Sequence, residues 1–481
     1  MTNDFIEYAP APESRAIVNI NKEYGHYIAG KFVSPHSKKR FATINPATEE
    51  LLSKVAYGDA ADIDKAVKAA RAALKNWRKL KPQERAKYLF RIARILQERA
   101  REFAVLEALD NGKPIRETRD IDIPLAAAHF FYHAGWADKL EYAGYGENPE
   151  PHGVVGQIIP WNFPLLMLAW KVAPALATGN TVVLKPAETT PLTALLFAEV
   201  CEQAELPAGV VNIVTGDGKT GAALVNHRDI NKVAFTGSTE VGKLIAKSIA
   251  ARGIPATLEL GGKGANIVFS DAPIDEAVEG IINGIFFNQG HVCCAGSRLL
   301  LQENIADDFL SKLQDRMKKI RVGDPLDKNT DLGAINSNAQ LAKIKELSDS
   351  GAAEGAERWS APCSLPSKGF WFPPTIFTGV TAAHRIAREE IFGPVLSVLT
   401  FRTPQEAMEK ANNTPYGLSA GIWTEKGSKI LWAAQQLKAG VIWANTFNKF
   451  DPASPFGGYK ESGWGREGGR HGLAAYLKGA K

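Results

Sequence analysis

The stretch VVGQIIPWNFPLLMLAWKVAPALATGNTVVLKP, residues 154–186, joins two β-branched runs through one helical pattern and decides the fold class. The same alternation continues to residue 235, and it predicts an α/β fold in which helices cover a parallel sheet. Predicted strands are 154–159, 181–184, 210–215 and 232–235, and predicted helices are 165–177, 192–204 and 220–226. Because crossovers between parallel strands are right-handed, ligands should gather in the loops after the strands, residues 160–163, 185–190, 216–219 and 236–240.

Helix and strand patterns also flank this stretch. Asp59 is predicted to cap a helix whose apolar face runs from Ile63 to Trp77, and Pro82 begins a second helix. A second α/β region is predicted after Gly261, with strands 266–269 and 298–302 and a helix from 274 towards 288 between them. The boundary near residue 260 carries no Pro/Ser linker, so the two regions should adjoin closely.

Composition and charge exclude several classes of protein. The shares of 45% hydrophobic and 23% charged residues are those of an ordinary soluble globular chain. The net charge of +5 comes from 57 basic and 52 acidic residues without a basic run, so no nucleic-acid partner is expected. The most apolar stretch, 154–184, contains three prolines and Lys171, which argues against a membrane span.

Cysteine usage and the N-terminus predict a cytoplasmic protein. The four cysteines form no CxxC pair and have no histidines at zinc-ligand spacing, so no metal site is expected. The first 15 residues include Asp4, Glu7 and Glu13 and have no apolar core, so no secretory signal is predicted.

Two glycine-containing loops could hold phosphate groups. Gly216-Asp217-Gly218-Lys219-Thr220-Gly221 is a literal GxGxxG between a strand and a helix, but an ordinary turn explains it at least as well. In the segment FTGSTEVG, residues 235–242, small residues and a hydroxyl precede a helix. Either Thr236 or Ser238 could be a simple N-cap there, so both interpretations stay open.

Cys293 lies in FNQGHVCCAGSR, residues 287–298, between a predicted helix and a predicted strand. A lone cysteine is usually an inert core residue. Two further segments raise its interest: LELGGK, residues 258–263, places Glu259 at an apolar strand end, and PWNFP, residues 160–164, places Asn162 in a loop at the sheet edge. Either residue singly could be structural.

These segments, with KPAE at 185–188, EEIFGPV at 389–395 and PFGGYK at 455–460, resemble the aldehyde dehydrogenase superfamily from Tyr27 to Tyr476. The resemblance implies a Rossmann-type cofactor domain, residues 1–138 and 152–260, and a catalytic domain, residues 261–460. It also implies an oligomerisation segment, residues 139–151 and 461–481, which is shorter here than in the family. The implied reaction is NAD-dependent oxidation of an aldehyde to the acid.

The resemblance also assigns catalytic roles. Cys293 would be the nucleophile and Cys294 its bystander, while the Asn162 amide and the Cys293 backbone N–H would hold the oxyanion. Glu259 would activate the water that hydrolyses the thioester, with a pKa raised by its apolar setting. Lys171 and Glu467 would relay the proton outward.

The implied cofactor contacts fall into three groups. Lys185 and Glu188 would bind the adenosine ribose, Trp161 and Ser238 the pyrophosphate, and Glu390 with Phe392 the nicotinamide ribose; Gly218 of the glycine motif is a further candidate. Because a carboxylate at Glu188 would repel a 2′-phosphate, NAD is predicted over NADP, and Lys185 weakens that preference.

The implied substrate tunnel is apolar. No arginine occupies position 170, so uncharged aliphatic or aromatic aldehydes are expected over carboxylated ones. The matching tunnel positions are Phe163, Met167, Trp170, Phe287, Phe450 and Phe456.

Two features depart from the family. Position 291 is His where the family often has Gln: it could be a neutral, hydrogen-bonded substitute, or a protonated His291 could lower the pKa of Cys293. The shortened segment, and an end at residue 481 about where the family's last strand begins, favour a homodimer and make a tetramer doubtful. Whether the chain is part of a longer protein stays open.

Two other functions compete with the hydrolytic reaction. In a CoA-acylating dehydrogenase a thiol would release the acyl group, but such an enzyme has no need for the water-activating Glu259. A non-catalytic structural or binding relative would keep the fold, but it would need none of Cys293, Glu259, Asn162 and Glu390.

Overall fold

The computed structural model describes residues 9–146 and 149–479. The part of the N-terminal segment that carries Asp4 and Glu7, residues 147–148 of the shortened segment and the last two residues lie outside these ranges. Within them, no helix is long and apolar enough to cross a bilayer.

Strands occur along almost the whole described chain. In chain order they are β1 (Glu23–Tyr24), β2 (His26–Ile28), β3 (Lys31–Val33), β4 (Arg40–Ile44), β5 (Leu51–Ala56), β6 (Val154–Ile158), β7 (Thr181–Lys185), β8 (Val211–Ile213), β9 (Lys232–Thr236), β10 (Ala256–Glu259), β11 (Ala265–Val268), β12 (Arg298–Gln302), β13 (Glu357–Ser360), β14 (Thr375–Thr378), β15 (Val395–Phe401), β16 (Tyr416–Gly417), β17 (Ser419–Trp423), β18 (Val441–Ala444), β19 (Tyr459–Lys460) and β20 (Gly463–Trp464).

Helices alternate with most of these strands. They are α1 (Ala60–Trp77), α2 (Pro82–Glu98), α3 (Ala100–Asn111), α4 (Ile115–Glu117), α5 (Ile123–Trp136), α6 (Pro164–Ala177), α7 (Leu192–Gln203), α8 (Gly218–Asn226), α9 (Thr239–Ala250), α10 (Ile274–Phe286), α11 (Ala306–Met317), α12 (Asn338–Ala353), α13 (Arg385–Arg388), α14 (Pro404–Asn412), α15 (Gly427–Gln436) and α16 (Gly469–Ala474).

The first large sheet has the order β20-β10-β9-β6-β7-β8-β2-β3. Its strands β10, β9, β6, β7 and β8 run parallel, and antiparallel strands close both edges. The chain leaves β6 towards β7 on one side and returns to β9 on the other. Ligands of open α/β sheets bind at such a switch, so the loops after β6 and β9 should line the site. The predicted α/β fold and the alternation from residue 154 to 235 are confirmed.

The second large sheet has the order β13-β14-β15-β12-β11-β17-β18 and is parallel apart from the edge strand β13. The predicted strands after residue 261 are present as β11 and β12. The predicted helix between them ends at Phe286, two residues earlier than expected, because Asn288 and Gln289 have positive φ angles of 49° and 54°.

The N-terminal helices begin where their sequence signals place them. Asp59 accepts hydrogen bonds from the backbone N–H groups of Ala61 and Asp62, and Asp62 bonds back to Asp59, which forms a capping box. Such a cap stabilises a helix by about 1 kcal/mol. The predicted apolar face from Ile63 to Trp77 is buried, and Pro82 is the first residue of α2.

Residues 139–146 of the shortened segment contribute no strand to either large sheet, whereas Gly463–Trp464 in its second part is the edge strand β20. Leu140–Ala143 forms one short 3₁₀ turn. Pro151 pairs with Leu477 in an isolated bridge near the end of the chain. This local pairing joins the two halves of the segment.

Gly280 of α10 should not tolerate a side chain. A Cβ added there would lie 2.1 Å from the Trp423 ring, whereas a Cβ added to Gly135 of α5 would meet nothing within 4 Å. We expect Gly280→Ala to lower the free energy of unfolding by about 1–3 kcal/mol through overpacking. The matched Gly135→Ala should instead raise it by up to about 1 kcal/mol through helix propensity.

Apparent melting temperatures measured at one scan rate would compare the two variants with the parent. Equal shifts in both variants would contradict the packing argument.

Candidate active site

A cavity of about 310 Å³ lies where the carboxyl ends of β6, β9 and β10 face the chain segments that lead into β11 and β12. It brings together most of the residues singled out in the sequence. Those that line it are Trp161, Asn162, Phe163, Met167, Trp170, Ser238, Glu259, Phe287, Cys293, Glu390, Phe392, Phe450, Phe456 and Glu467.

Two glycines let the chain pass close to the cysteine segment. A Cβ at Gly262 would lie 2.3 Å from the Cys293 carbonyl oxygen, and a Cβ at Gly261 would lie 2.3 Å from a Glu390 carboxyl oxygen. Side chains are not accommodated at such distances, so the GG pair of LELGGK is a steric requirement of this crossing.

Cys293 is partly exposed to the cavity, whereas Cys294 is buried. Hydrogen bonding with the Cys294 thiol, followed by burial, raises the pKa of Cys293 well above its usual value. The Cys293 sulfur is therefore a thiol at rest, and its thiolate fraction grows as the pH rises. The Ser419 hydroxyl donates a hydrogen bond to the Cys294 backbone carbonyl oxygen at 2.8 Å, which fixes the backbone at this position.

Glu259 is a buried carboxyl group at the end of β10. Neither of its side-chain oxygens accepts a hydrogen bond from the residues that the structure describes. Burial, and then the nearby charge of Glu467, raise its pKa well above the usual value. This agrees in direction with the sequence prediction, and it gives a group that can exchange protons near neutral pH.

Lys171 and Glu467 form a buried ion pair beside this carboxyl group. Lys171 also donates to the Thr236 hydroxyl at 2.7 Å, which ties the pair to the end of β9. Glu467 exchanges two backbone hydrogen bonds with Phe456 at 2.7 and 2.8 Å, so the ion pair adjoins the aromatic wall of the cavity.

Asn162 connects the loop after β6 to the cysteine segment. Its side-chain amide donates to the His291 carbonyl oxygen at 2.7 Å. The backbone carbonyl oxygen of Asn162 accepts a hydrogen bond from the side-chain amide of Asn288 at 2.8 Å. An amide carries two N–H donors, so one remains for a developing oxyanion.

His291 lies among aromatic rings with Trp161 edge-on at 4.8 Å and Phe392 stacked at 5.9 Å. Burial, with a smaller effect of Lys113, lowers its pKa to about 3. The hypothesis of a protonated His291 is therefore wrong. The neutral alternative holds, although neither ring nitrogen has a hydrogen-bond partner within the described ranges.

Glu390 and Phe392 form the far side of the cavity. Glu390 accepts the backbone N–H of Gly262 at 2.9 Å, and burial raises its pKa to about 7. Phe392 has a positive φ of 57°, an uncommon conformation for a bulky residue that often accompanies a binding role.

The start of α9, in the segment FTGSTEVG, has the features of a simple N-cap and also those of an anion site. Ser238 is the N-cap, and its hydroxyl accepts the Val241 N–H at 3.3 Å. It also lines the cavity, so the helix N-terminus faces the same cleft as Trp161. An anion there would be stabilised by the remaining N–H groups of the first turn.

Four predicted site residues lie outside the cavity lining: Lys171, Lys185, Glu188 and Gly218. Lys185, at the end of β7, donates to the Gly216 carbonyl oxygen at 2.8 Å and lies 3.5 Å from the half-exposed Glu188 carboxylate. Gly218 is the first residue of α8, and the Asp217 carboxylate already caps that helix. This negative charge disfavours phosphate at the GxGxxG turn.

The tunnel aromatics contact one another. Trp170 lies edge-on to Phe456 at 5.3 Å and to Phe450 at 6.4 Å, and Phe163 stacks on Phe287 at 6.0 Å. The cavity wall therefore carries two groups of contacting aromatic rings, which present apolar surface to it.

Sequence reasoning missed several residues around the site. Gln340, Lys343 and Asn448 line the cavity but stand in no motif of the kind that drew attention to Cys293. The sequence signal for the left-handed turn at Asn288 and Gln289 is the tripeptide NQG, residues 288–290. The helix predicted from 274 towards 288 overlaps the first residue of this signal.

Comparison with known proteins identifies the family. The Aldehyde dehydrogenase family profile matches residues 32–480. An aldehyde dehydrogenase of Enchytraeus buchholzi is 48% identical over 466 residues, which cover 94% of each chain. The solved NAD+ complex of an aldehyde dehydrogenase from Bacillus cereus is 43% identical with a TM-score of 0.92, covering 95% of this chain and 96% of the other.

A third similar protein is a mutant indole-3-acetaldehyde dehydrogenase of P. syringae, solved in complex with NAD+ and IAA. It is 41% identical with a TM-score of 0.92, and the match covers 96% of both chains.

Replacing His291 by glutamine (H291Q) should leave the pH dependence of Cys293 alkylation unchanged. A histidine with a pKa of about 3 is neutral wherever the thiol titrates, so it contributes no charge to lose. Iodoacetamide rates from about pH 5 to pH 10 would measure this, with C293A to identify the signal. A displaced midpoint in H291Q would contradict the neutral assignment.

Proposed function

The chain belongs to the aldehyde dehydrogenase family, and on that premise we propose that it oxidises an uncharged aliphatic or aromatic aldehyde to the carboxylic acid with NAD. The observation that carries the proposal is the meeting of three groups in one cavity: the Cys293 thiol, the Asn162 amide and the Glu259 carboxyl. A nucleophile, an oxyanion donor and a base for water are what oxidation through a thioester requires.

The first step is attack of the Cys293 sulfur on the aldehyde carbonyl carbon. The carbonyl oxygen gains negative charge, and the second N–H of the Asn162 amide and the Cys293 backbone N–H stabilise it. Donors held in place before the reaction need not reorganise, and each contributes about 2.7–4 kcal/mol in comparable sites. The product of this step is a thiohemiacetal on Cys293.

The residues present fit a nicotinamide dinucleotide. The α9 N-terminus with Ser238 suits the pyrophosphate, Glu390 beside Phe392 suits the nicotinamide ribose, and Lys185 with Glu188 suits the adenosine ribose. When bound, the nicotinamide ring accepts the hydride that leaves the thiohemiacetal carbon. Collapse of the oxyanion then leaves a thioester on Cys293.

Hydrolysis of the thioester is the task of Glu259. Its raised pKa makes the carboxylate a stronger base than an exposed glutamate, so it can take a proton from water as water attacks. The buried Lys171–Glu467 pair lies next to it and provides the path by which that proton moves on. Because Glu259 and Cys293 both have raised pKa values, turnover should increase as the pH rises through the neutral range.

The substrate class follows from the tunnel. Its walls are aromatic and apolar, with Trp170 at the position where a carboxylate anchor would need arginine. The similar P. syringae protein is named for indole-3-acetaldehyde, an uncharged aromatic aldehyde. We therefore place aromatic and aliphatic aldehydes ahead of carboxylated ones.

A cytoplasmic homodimer is our proposal for location and assembly. The shortness of residues 139–151 favours a dimer through helices over a tetramer. Exposed apolar side chains, Val241 and Leu244 of α9 with Trp464 of β20, provide a surface that association would cover.

The test of the proposed function is NADH formation over a panel of aldehydes by the parent, C293A and Glu259→Gln. C293A should lose both the initial burst of NADH and steady turnover, because no thiohemiacetal forms. Glu259→Gln should keep the burst but lose about 10²–10⁴-fold in steady turnover, since only hydrolysis needs the base. Parental turnover by C293A would refute the mechanism.

Free CoA added in parallel would separate hydrolysis from acyl transfer. Acceleration of Glu259→Gln by CoA, with acyl-CoA as product of the parent, would favour the CoA-acylating reaction instead.

NAD should be preferred to NADP because of Glu188. Lys185 lies 3.5 Å from Glu188 and offsets part of its charge, but Lys185 also donates to the Gly216 carbonyl oxygen, so the half-exposed carboxylate can still repel a 2′-phosphate. Glu188→Gln should raise kcat/KM for NADP relative to NAD by about tenfold, a change of about 1.4 kcal/mol. The exposed Glu202→Gln serves as control, and a parent that uses NADP as well as NAD would contradict the preference.

A further inference from the structure

Glu117 is a buried carboxyl group that the proposed mechanism does not use. It is the last residue of α4, directly before one turn of π-helix at Thr118–Asp122. Its Oε2 accepts the backbone N–H of Asn288 at 2.9 Å, across 171 positions of sequence. A π-turn is rare and frequently marks a functional part of a helix.

The segment that Glu117 grips is strained. Asn288 and Gln289 have φ angles of 49° and 54°, and Gly290 follows with 73°. Left-handed conformations are unfavourable for non-glycine residues, so they persist only where surrounding contacts hold them. Gly290 has no room for a side chain, since a Cβ there would lie 2.1 Å from the Gly393 carbonyl oxygen.

This left-handed turn, residues 288–290, is hydrogen-bonded to Asn162 and to His291, which lies two residues before Cys293. The Asn288 side chain donates to the carbonyl oxygens of Asn162 at 2.8 Å and of His291 at 3.4 Å. The Asn162 amide donates to the same His291 carbonyl at 2.7 Å. Cys293, whose backbone N–H is the other proposed donor, follows two residues later.

The Gln289 side chain fixes the second residue of the turn through two hydrogen bonds. The Gln289 side chain donates to the Ala334 carbonyl oxygen at 3.1 Å and accepts the Gly333 N–H at 3.1 Å. Glu117 supplies the remaining contact, at the first residue of the turn. Without it, the buried Asn288 N–H would lose its acceptor, which is unfavourable for a buried donor.

The charges around Glu117 show what the carboxyl group must provide. Lys113 is buried between carboxylates, paired with Asp122 and 3.8 Å from Glu107. Burial, opposed by Lys113 and reinforced by Asp122, raises the pKa of Glu117 to about 8. Since Lys113 already has an acidic partner, Glu117 is needed as a hydrogen-bond acceptor of the right length and not as a charge.

We propose that Glu117 is a positioning residue whose hydrogen bond to Asn288 holds the left-handed turn and thereby orients the two oxyanion donors, Asn162 and the Cys293 backbone. The role in turnover rests on the proposed function, whereas the effect on the turn does not. An uncharged side chain of equal length can replace Glu117, and a shorter carboxylate cannot.

The decisive comparison is Glu117→Gln against Glu117→Asp. Glu117→Gln keeps the reach of the acceptor and should stay within about twofold of the parental kcat, while Glu117→Asp keeps the charge but withdraws the acceptor and should lose at least about tenfold. KM for NAD should change in neither. The control is Asp62→Asn, which removes another buried carboxylate that accepts backbone N–H groups, from His36 and Asp59, outside the site.

Two further measurements are needed. The first distinguishes a positioning role of Glu117 from a loss of protein stability, and the second tests the turn independently of aldehyde oxidation. Apparent melting temperatures should fall in Asp62→Asn without loss of kcat. Cys293 alkylation, which needs no aldehyde, should depart from the parental rate by more than about threefold in Glu117→Asp and stay close to it in Glu117→Gln. This second readout still tests the turn if the parent oxidises no aldehyde, the result that would refute the proposed function.

The inference is overturned if Glu117→Gln loses as much kcat as Glu117→Asp, because an acceptor of equal length would then not be sufficient. It is also overturned if Glu117→Asp keeps parental kcat and alkylation, or if Asp62→Asn loses kcat in proportion to its stability.

Discussion

The passage of the chain between the two sheets at Gly261 and Gly262 is the constraint on which the rest of the site depends. The backbone there runs so close to the Cys293 carbonyl and the Glu390 carboxyl that no Cβ fits. Glu259 at the end of one sheet and Cys293 before a strand of the other are thereby placed in one cavity. The fold supplies this meeting, since each sheet alone carries only half of the chemistry.

Much of the fold could be predicted from the sequence because its signals are local. The alternation from Val154 to Phe235, the Asp59 cap and the proline that begins α2 all depend on neighbours within a few residues. The motifs around Cys293, Glu259 and Asn162 were likewise readable as segments. Local patterns did not distinguish among the four predicted loops: those after β6 and β9 border the cavity, whereas the GxGxxG turn after β8 does not.

The rest of the site depends on contacts between distant segments. Nothing near Glu117 in the sequence indicates that it binds Asn288, and nothing near His291 indicates that it is enclosed by Trp161 and Phe392. A histidine two residues from a thiol suggested an imidazolium, yet enclosure by aromatic rings makes the ring neutral. Charge states, unlike strand positions, are set by whatever the folded chain brings near.

The backbone bridge between Phe456 and Glu467 has a consequence for how such enzymes diverge. The two residues exchange both of their main-chain hydrogen bonds, so the pairing does not depend on which side chain occupies position 456. A mutation at position 456 can therefore change the aromatic lining of the cavity while Glu467 stays paired with Lys171. Under the proposed function, substrate range can drift during evolution without displacing the buried ion pair beside Glu259.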